Sequence, residues 1–322
     1  MTAVTLYPDA ASQRDRWIIA QRPAREDRNP WQPYAFFAEQ EPSSTGEILD
    51  VTTVLLTNRE CPWRCVMCDL WRNTLTESVP VGAIPAQIDY ALAHLPTARV
   101  IKLYNSGSFF DPHAIPVEDY TAIAERLQDF ESVVVECHPS LVGERCVAFH
   151  DLLPRKLEVA MGLETAHPGV LEKLNKRMTL EQFAQAAGFL RQREIDLRVF
   201  ILVQPPFMRP EESLHWAQRS LDFAFDCGAI AASLIPTRGG NGAMESLATR
   251  GEFTRPRLKV VEDAMDYGIR LKRGRVFVDP WDMQMSSGCE HCHASRIARL
   301  QTMNLEQTVL DSIGCDRCGA QS

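Results

Sequence analysis

The stretch "CPWRCVMC" places Cys61, Cys65 and Cys68 within eight residues, in a C-x3-C-x2-C arrangement. Three thiolates this close suit three irons of a cubane iron–sulfur cluster and leave the fourth iron open to a substrate or cofactor. Structural zinc takes four ligands, and three cysteines leave it one short. A second group stands near the other end of the sequence. Cys289 with Cys292, and Cys315 with Cys318, form two C-x2-C pairs with 22 residues between them. Two such pairs make a closed four-thiolate site, and zinc or a second iron–sulfur cluster both satisfy it. His291 and His293 beside it read as surface residues. Cys137, Cys146 and Cys227 fall in predicted strands or helices and read as buried structural thiols, with Cys137 also a candidate to face a pocket.

Four further stretches have site-like chemistry. In "YNSGSFFDP", Gly107 allows close backbone approach, and Asn105, Ser106 and Ser108 offer small polar groups. In "GLETAHPGVLEKLNKRMT", Glu164 follows a hydrophobic run, where a carboxylate can accept the protons of both ribose hydroxyls. In "ILVQPPFMRPEES", Gln204 precedes Pro205 and Pro206, which stiffen a loop able to line a cofactor pocket. In "SLIPTRGGNGAM", the glycines suit close approach to adenine or substrate, and Arg238 is a candidate for an anionic group.

All these stretches end predicted strands. From residue 51 the sequence alternates "VTTVLLT", "RVIKLYNS", "SVVVECHP", "KLEVAMGLE", "LRVFILVQ" and "AIAASLIPT" with amphipathic helical segments, giving six strand–helix pairs. Short apolar strands rich in β-branched residues, alternating with helices, specify a parallel sheet with helices outside. Eight repeats close a full barrel, so six predict an α/β fold with an open, partial (β/α)6 TIM-like barrel. Its chemistry belongs at the carboxyl ends of the strands. The expected organisation is a lead-in over 1–50, irregular and packed on the outside, the barrel over 51–275, and a small cysteine-rich metal-binding tail over 276–322. "RVFVDPWDM" is a candidate for one more strand.

The 322 residues have ordinary hydrophobic content, 45%, and charged content, 24%. No run of eighteen apolar residues predicts a membrane span, and the start lacks the pattern of a signal peptide. A cytoplasmic location, where thiols stay reduced, follows as the expectation, and clustered cysteines there read as metal ligands. A net charge of −8 does not favour nucleic acid across the whole surface. Residues 250–275 nevertheless hold eight Lys or Arg against four Asp or Glu. A solvated helix face is the plain reading and an RNA-backbone patch the sharper one.

The three-cysteine loop after the first strand of such a barrel resembles the radical S-adenosylmethionine (SAM) superfamily. "NSGSFFD", "VVVECHP", "GLETAHPGVLEKLNK" and "LVQPPF" resemble its elongator/methylthiotransferase-like branch, and there most of all the radical SAM subunits of archaeosine synthases. The resemblance covers roughly residues 50–240. It implies that Cys61, Cys65 and Cys68 hold a 4Fe–4S cluster whose fourth iron is chelated by SAM. An electron from the cluster then cleaves SAM to a 5′-deoxyadenosyl radical, which abstracts hydrogen from substrate. It implies that Asn105, Ser106, Gly107 and Ser108 receive the SAM amino group, that Glu164 holds the ribose, and that Gln204 belongs to the cofactor site. The family usually has an aromatic residue before the last cysteine, near the adenine; here Met67 fills that apolar space. The implied reaction is carbon–nitrogen lyase or transferase chemistry on a modified tRNA nucleoside. The implied partners are a donor such as flavodoxin or ferredoxin, and tRNA or a tRNA-modifying protein. Two alternatives stand beside this: a radical SAM enzyme for a small metabolite or peptide, and a non-catalytic iron–sulfur or zinc scaffold. The motifs name no catalytic residue.

Overall fold

A computed structural model describes residues 6–280 and 289–318. One sheet has eight strands in chain order: β1 (Ala35–Pro42), β2 (Ile48–Leu55), β3 (Val100–Tyr104), β4 (Ser132–Cys137), β5 (Lys156–Glu164), β6 (Asp196–Val203), β7 (Ala231–Pro236) and β8 (Arg275–Val278). β2 to β8 run parallel, and β1 pairs antiparallel with β2. The six predicted strands are β2 to β7. Their helices follow as expected: α2 (Ala83–Leu92), α3 (Tyr120–Arg126), α4 (Glu144–His150), α6 (Leu180–Arg191), α7 (Ser213–Asp226) and α9 (Leu258–Leu271). Between them lie α5 (Pro168–Lys173) and α8 (Ala243–Thr249), and at the ends α1 (Ala11–Gln21) and α10 (His293–Glu306).

The partial barrel is therefore extended at both edges. β8 is the further strand expected in "RVFVDPWDM", whose last residues, 281–283, lie outside the described residues. β1 lies in the segment expected to be irregular. The sheet curls until its outer strands approach: Arg275 on β8 donates to the carbonyl of Pro42 on β1 at 3.1 Å. α10 packs against both strands. Residues 1–5 of the lead-in and 281–288 and 319–322 of the tail lie outside the described residues. Among the described residues, no helix is long and apolar enough to cross a membrane.

The strands alternate two environments, as a period of two requires. Ile101 and Leu103, Val133 and Val135, Leu157 and Val159, and Leu197 and Val199 face the helices in one large apolar core. The opposite face turns into the barrel. There Val51, Val100, Val134 and Ala160 form a small apolar layer at the bottom. Charged side chains share this face. Lys102, Glu158 and Arg198 are buried, and all three are paired. β1 supplies part of the counter-charge: Glu39 takes Lys102 at 2.9 Å, and Glu41 takes Arg198 at 2.8 Å. Glu158 joins Arg198 to Arg275. Buried charges are tolerable only when paired this fully, so the antiparallel strand is a chemical requirement of the lumen.

Candidate functional site

The cysteine loop leaves β2 at the carboxyl end of the barrel. It is held in place by groups far away in sequence. Asn175 donates to the Arg64 carbonyl at 2.8 Å, and Val66 donates to the Leu174 carbonyl at 3.0 Å. Asn241 donates to the carbonyls of Val66 and Cys68 at 2.8 and 3.0 Å. Arg238 pairs with Asp69 at 3.1 Å, so its charge serves this loop. The lead-in also reaches the mouth of the barrel. Arg22 and Arg25 pair with Glu60, and Arg25 donates to the carbonyls of Trp71 and Thr74 at 2.8 Å. α1 closes behind it, with Arg14 on Glu172 at 2.7 Å.

The loop after β3 lies directly against the cysteines. A Cβ added to Gly107 would stand 3.0 Å from the Cβ of Cys61, tighter than ordinary packing allows. Gly107 is thus needed for contact between two loops. The left-handed residue is its neighbour Ser106, at φ 56°, a conformation that non-glycine residues rarely adopt. The Ser106 hydroxyl lies 3.1 Å from the Tyr34 hydroxyl. Glu136 on β4 accepts from the backbone N–H of Asn105 at 2.9 Å, and the Ser106 and Gly107 N–H groups also favour its charge. Burial outweighs them and pushes its carboxyl up to about 7. The Asn105 amide is fully buried, and neither its Oδ1 nor its Nδ2 has a protein partner. A buried amide is costly unless something bonds it, so this one marks a place for a polar ligand group.

β5 ends in a bulge. Its register on β6 shifts between Gly162 and Glu164, and Glu164 takes φ 66°. Bulges of this kind re-aim side chains next to sites. The Glu164 carboxylate receives the buried ammonium of Lys176, and a Cβ at Gly162 would collide with both. Lys176 was not among the candidates read from the sequence. Its only signal there was the "NK" near the end of the Glu164 stretch. Burial pushes the thiols of Cys61, Cys65 and Cys68 above their ordinary value, Cys65 to about 12, while the Lys176 charge acts in the opposite direction on Cys61 and Cys65. Thiolates in this place therefore call for a positive partner such as a metal centre.

Trp63 links the two halves of the site. It stacks on His138 with ring centroids 3.6 Å apart and planes 9° apart. His138 Nε2 lies 3.0 Å from the Lys176 carbonyl, and the Ser140 N–H meets its Nδ1 at 3.2 Å. Those partners select the neutral tautomer with the proton on Nε2. Burial and the Lys176 charge hold the imidazole pKa down to about 3.

Asn105, Ser106, Gly107, Glu164 and the three cysteines thus converge. Other candidates have different surroundings. Met67 packs against a separate apolar cluster that includes Trp17, Val66 and Met244. Ser108 donates to Cys137 at 3.5 Å, and Cys137 is part of the main core. Gln204 donates to the carbonyl and hydroxyl of Thr254 at 2.8 and 2.7 Å, tying down the loop before α9. Of the "RGGNG" glycines, Gly242 lies against the backbone of Gln21, at the end of α1. Below the mouth is a cavity of about 680 Å³, lined among others by Tyr104, Ser106, Glu136, Arg198 and Arg238. In the 250–275 stretch, Arg250, Lys259, Arg273 and Arg275 are committed to ion pairs.

The four tail cysteines also meet. Their sulfurs all lie within 4.8 Å of one another, a group that could hold a metal ion.

No protein-family model matches the chain. It is similar to archaeosine synthase subunit beta of Methanosarcina acetivorans, 25% identical over 276 residues that cover 80% of each chain. It is also similar to an uncharacterised protein of Methanocaldococcus jannaschii, 21% identical over 302 residues, 88% of this chain and 82% of that one. Among solved structures, Elp3 of Methanocaldococcus infernus matches with a TM-score of 0.48 at 14% identity, over 62% of this chain and 52% of that one. The kinship with archaeosine synthases read from the motifs is met by a relative of that name.

Proposed function

We propose that the chain is a radical SAM enzyme acting on a modified nucleoside of tRNA, breaking a carbon–nitrogen bond as in archaeosine formation. The observation that carries this reading is the contact between the cysteine loop and the Asn105–Gly107 loop, with the partnerless Asn105 amide between the strand ends. Cys61, Cys65 and Cys68 would hold the 4Fe–4S cluster, and the loop of Asn105, Ser106 and Gly107 the SAM amino group. Glu164 would hold the ribose, with Lys176 fixing its charge and offering a cation to an anionic group beside it. Met67 would contribute apolar contact on the adenine side. Ser108 and Gln204 would act through the loops they hold. Together the bound cluster and SAM supply one-electron chemistry that ends in hydrogen abstraction from substrate.

This chain's own residues do the rest. Asn175 and Asn241 fix the cysteine loop, and Glu136 fixes the loop facing it. The lumen takes the substrate base, and Arg28 and Arg72, which line the same cavity, receive phosphate. The relative's name makes it a subunit. Given a net charge of −8, we assign most of the RNA surface to a second subunit, in the cytoplasm, with flavodoxin or ferredoxin as electron donor. A small metabolite or peptide is the second reading, favoured by the ion pairs that occupy the basic stretch.

The test is anaerobic reconstitution followed by dithionite and SAM. Formation of 5′-deoxyadenosine by the parent chain, and none by Cys65→Ala, supports the reading. Normal cleavage by Cys65→Ala overturns it. Iron without cleavage, with or without tRNA, returns the scaffold reading. RNA binding with a steep salt dependence selects tRNA over a small substrate.

A further inference from the structure

The tail cysteines bear on a question that their spacing in sequence leaves open. The Cys289 and Cys315 sulfurs are 3.8 Å apart, and so are those of Cys292 and Cys318. All four fall within 4.8 Å of one another. Four thiolates bound to one ion at about 2.3 Å define a tetrahedron with edges of about 3.8 Å. A cubane gives each thiolate its own iron, so its ligands must diverge rather than share one centre. A disulfide needs a sulfur–sulfur bond of about 2.05 Å, far shorter than either pair. The local turn is also formed: the N–H groups of Cys292 and His293 both donate to the Cys289 carbonyl, at 3.2 and 3.0 Å.

What the site anchors is equally specific. Cys292 immediately precedes α10, and Cys315 and Cys318 lie on the segment that returns from its far end. α10 completes the free edge of β8 with side chains. Asn304 donates to the Val278 carbonyl and accepts from the Val278 N–H, both at 2.8 Å. Gln307 does the same with Val276, at 2.9 and 2.7 Å. Two carboxamides thus take the place of a missing strand. Arg296 on Glu262 at 3.0 Å and Arg299 on Asp266 at 2.9 Å fasten α10 to α9. Asn304 and Val278 also line the 680 Å³ cavity.

We propose that Cys289, Cys292, Cys315 and Cys318 hold one tetrahedral zinc ion, and that this ion fixes α10 as the wall that closes the barrel at β8. The centre is structural and redox-silent, and it is independent of the cluster assigned to the first three cysteines.

The experiment counts metals per chain in anaerobically reconstituted parent, Cys65→Ala and Cys315→Ala proteins. The expected result is about one zinc that survives in Cys65→Ala and is lost in Cys315→Ala. About four irons that persist in Cys65→Ala would place a cluster in the tail and overturn the proposal. A single iron persisting there would overturn the assignment to zinc. Loss of all four free thiols without metal would replace the ion by disulfides. Cobalt exchange into the parent chain gives a readout that does not depend on a folded variant: the visible bands of a tetrahedral tetrathiolate are expected, and their absence overturns the geometry. Hydrogen exchange tests the closure. Removing zinc with a chelator should speed exchange of the Val276 and Val278 amides at least tenfold. Unchanged rates at β8 after zinc loss would refute the role of the ion in closing the wall.

Discussion

The ammonium of Lys176 and the carboxylate of Glu164 meet over Gly162, in space that any side chain at that position would fill. The bulge in β5 turns Glu164 toward the mouth, and the lysine returns to it after α5. The pair places opposite charges beside the cysteine loop at positions 12 residues apart in sequence.

Gly162→Ala is expected to displace this pair without unfolding the sheet. SAM affinity should fall about tenfold or more, ~1.4 kcal/mol, with the circular dichroism spectrum retained. Isothermal titration of the reconstituted protein with SAM measures it. Parent-like affinity would show that the pair does not shape the SAM site.

Asn241→Ala removes the two hydrogen bonds that Asn241 donates to the cysteine loop and leaves the Val66 and Cys68 carbonyls without them. A buried polar group left unsatisfied costs about 1–3 kcal/mol. The expected outcome is a lower thermal midpoint and faster loss of iron during anaerobic gel filtration. Iron retention equal to the parent would mean that Asn175 and the other contacts hold the loop without Asn241.

Arg198→Met takes one cation from the buried Glu158 and one from the partly buried Glu41, leaving Arg275 and Lys102 as their remaining partners. Arg198 and Lys102 hold the Glu41 carboxyl well below its ordinary range, against the opposing effect of burial. Removing one partner of such a cluster costs about 3–5 kcal/mol. Urea denaturation should report that loss, and adding Glu41→Gln should restore part of it. An effect within about 0.5 kcal/mol, the range of an ordinary surface substitution, would mean that the lumen is wet enough to solvate the carboxylates.

His138 sets an acid limit on stability. Its folded pKa, about 3, lies below the unfolded value of 6.5. The unfolded chain therefore binds the extra proton between those values, and stability present above pH 6.5 is lost as pH falls. At pH 5 the loss is about 2 kcal/mol relative to neutral pH. Glu136, raised to about 7, acts in the opposite sense, since its protonated form is favoured in the fold. The difference between parent and His138→Asn denaturation curves at pH 7 and pH 5 isolates the histidine. If the two proteins lose stability equally, the Trp63–His138 stack tolerates the charge.

The sequence by itself determined what short-range spacing can encode. C-x3-C-x2-C brings three thiols together because a few residues span only a few ångströms, and alternating apolar strands and amphipathic helices specify a parallel sheet. Those signals located β2 to β7 and the cysteine and "NSGS" loops at the strand ends. β1 escaped because "AFFAEQEP" turns from apolar to polar half-way along, without the apolar run of a fully buried strand. Its acids are intelligible only beside Lys102 and Arg198, which reach it through the curl of the sheet. Tertiary structure alone decided that Asn175 and Asn241 clamp the cysteine loop, that Arg238 serves Asp69, and that Lys176 meets Glu164. It also decided that the four tail sulfurs gather within 4.8 Å of one another. Each of these depends on distances between residues far apart along the chain, which packing sets and sequence spacing does not.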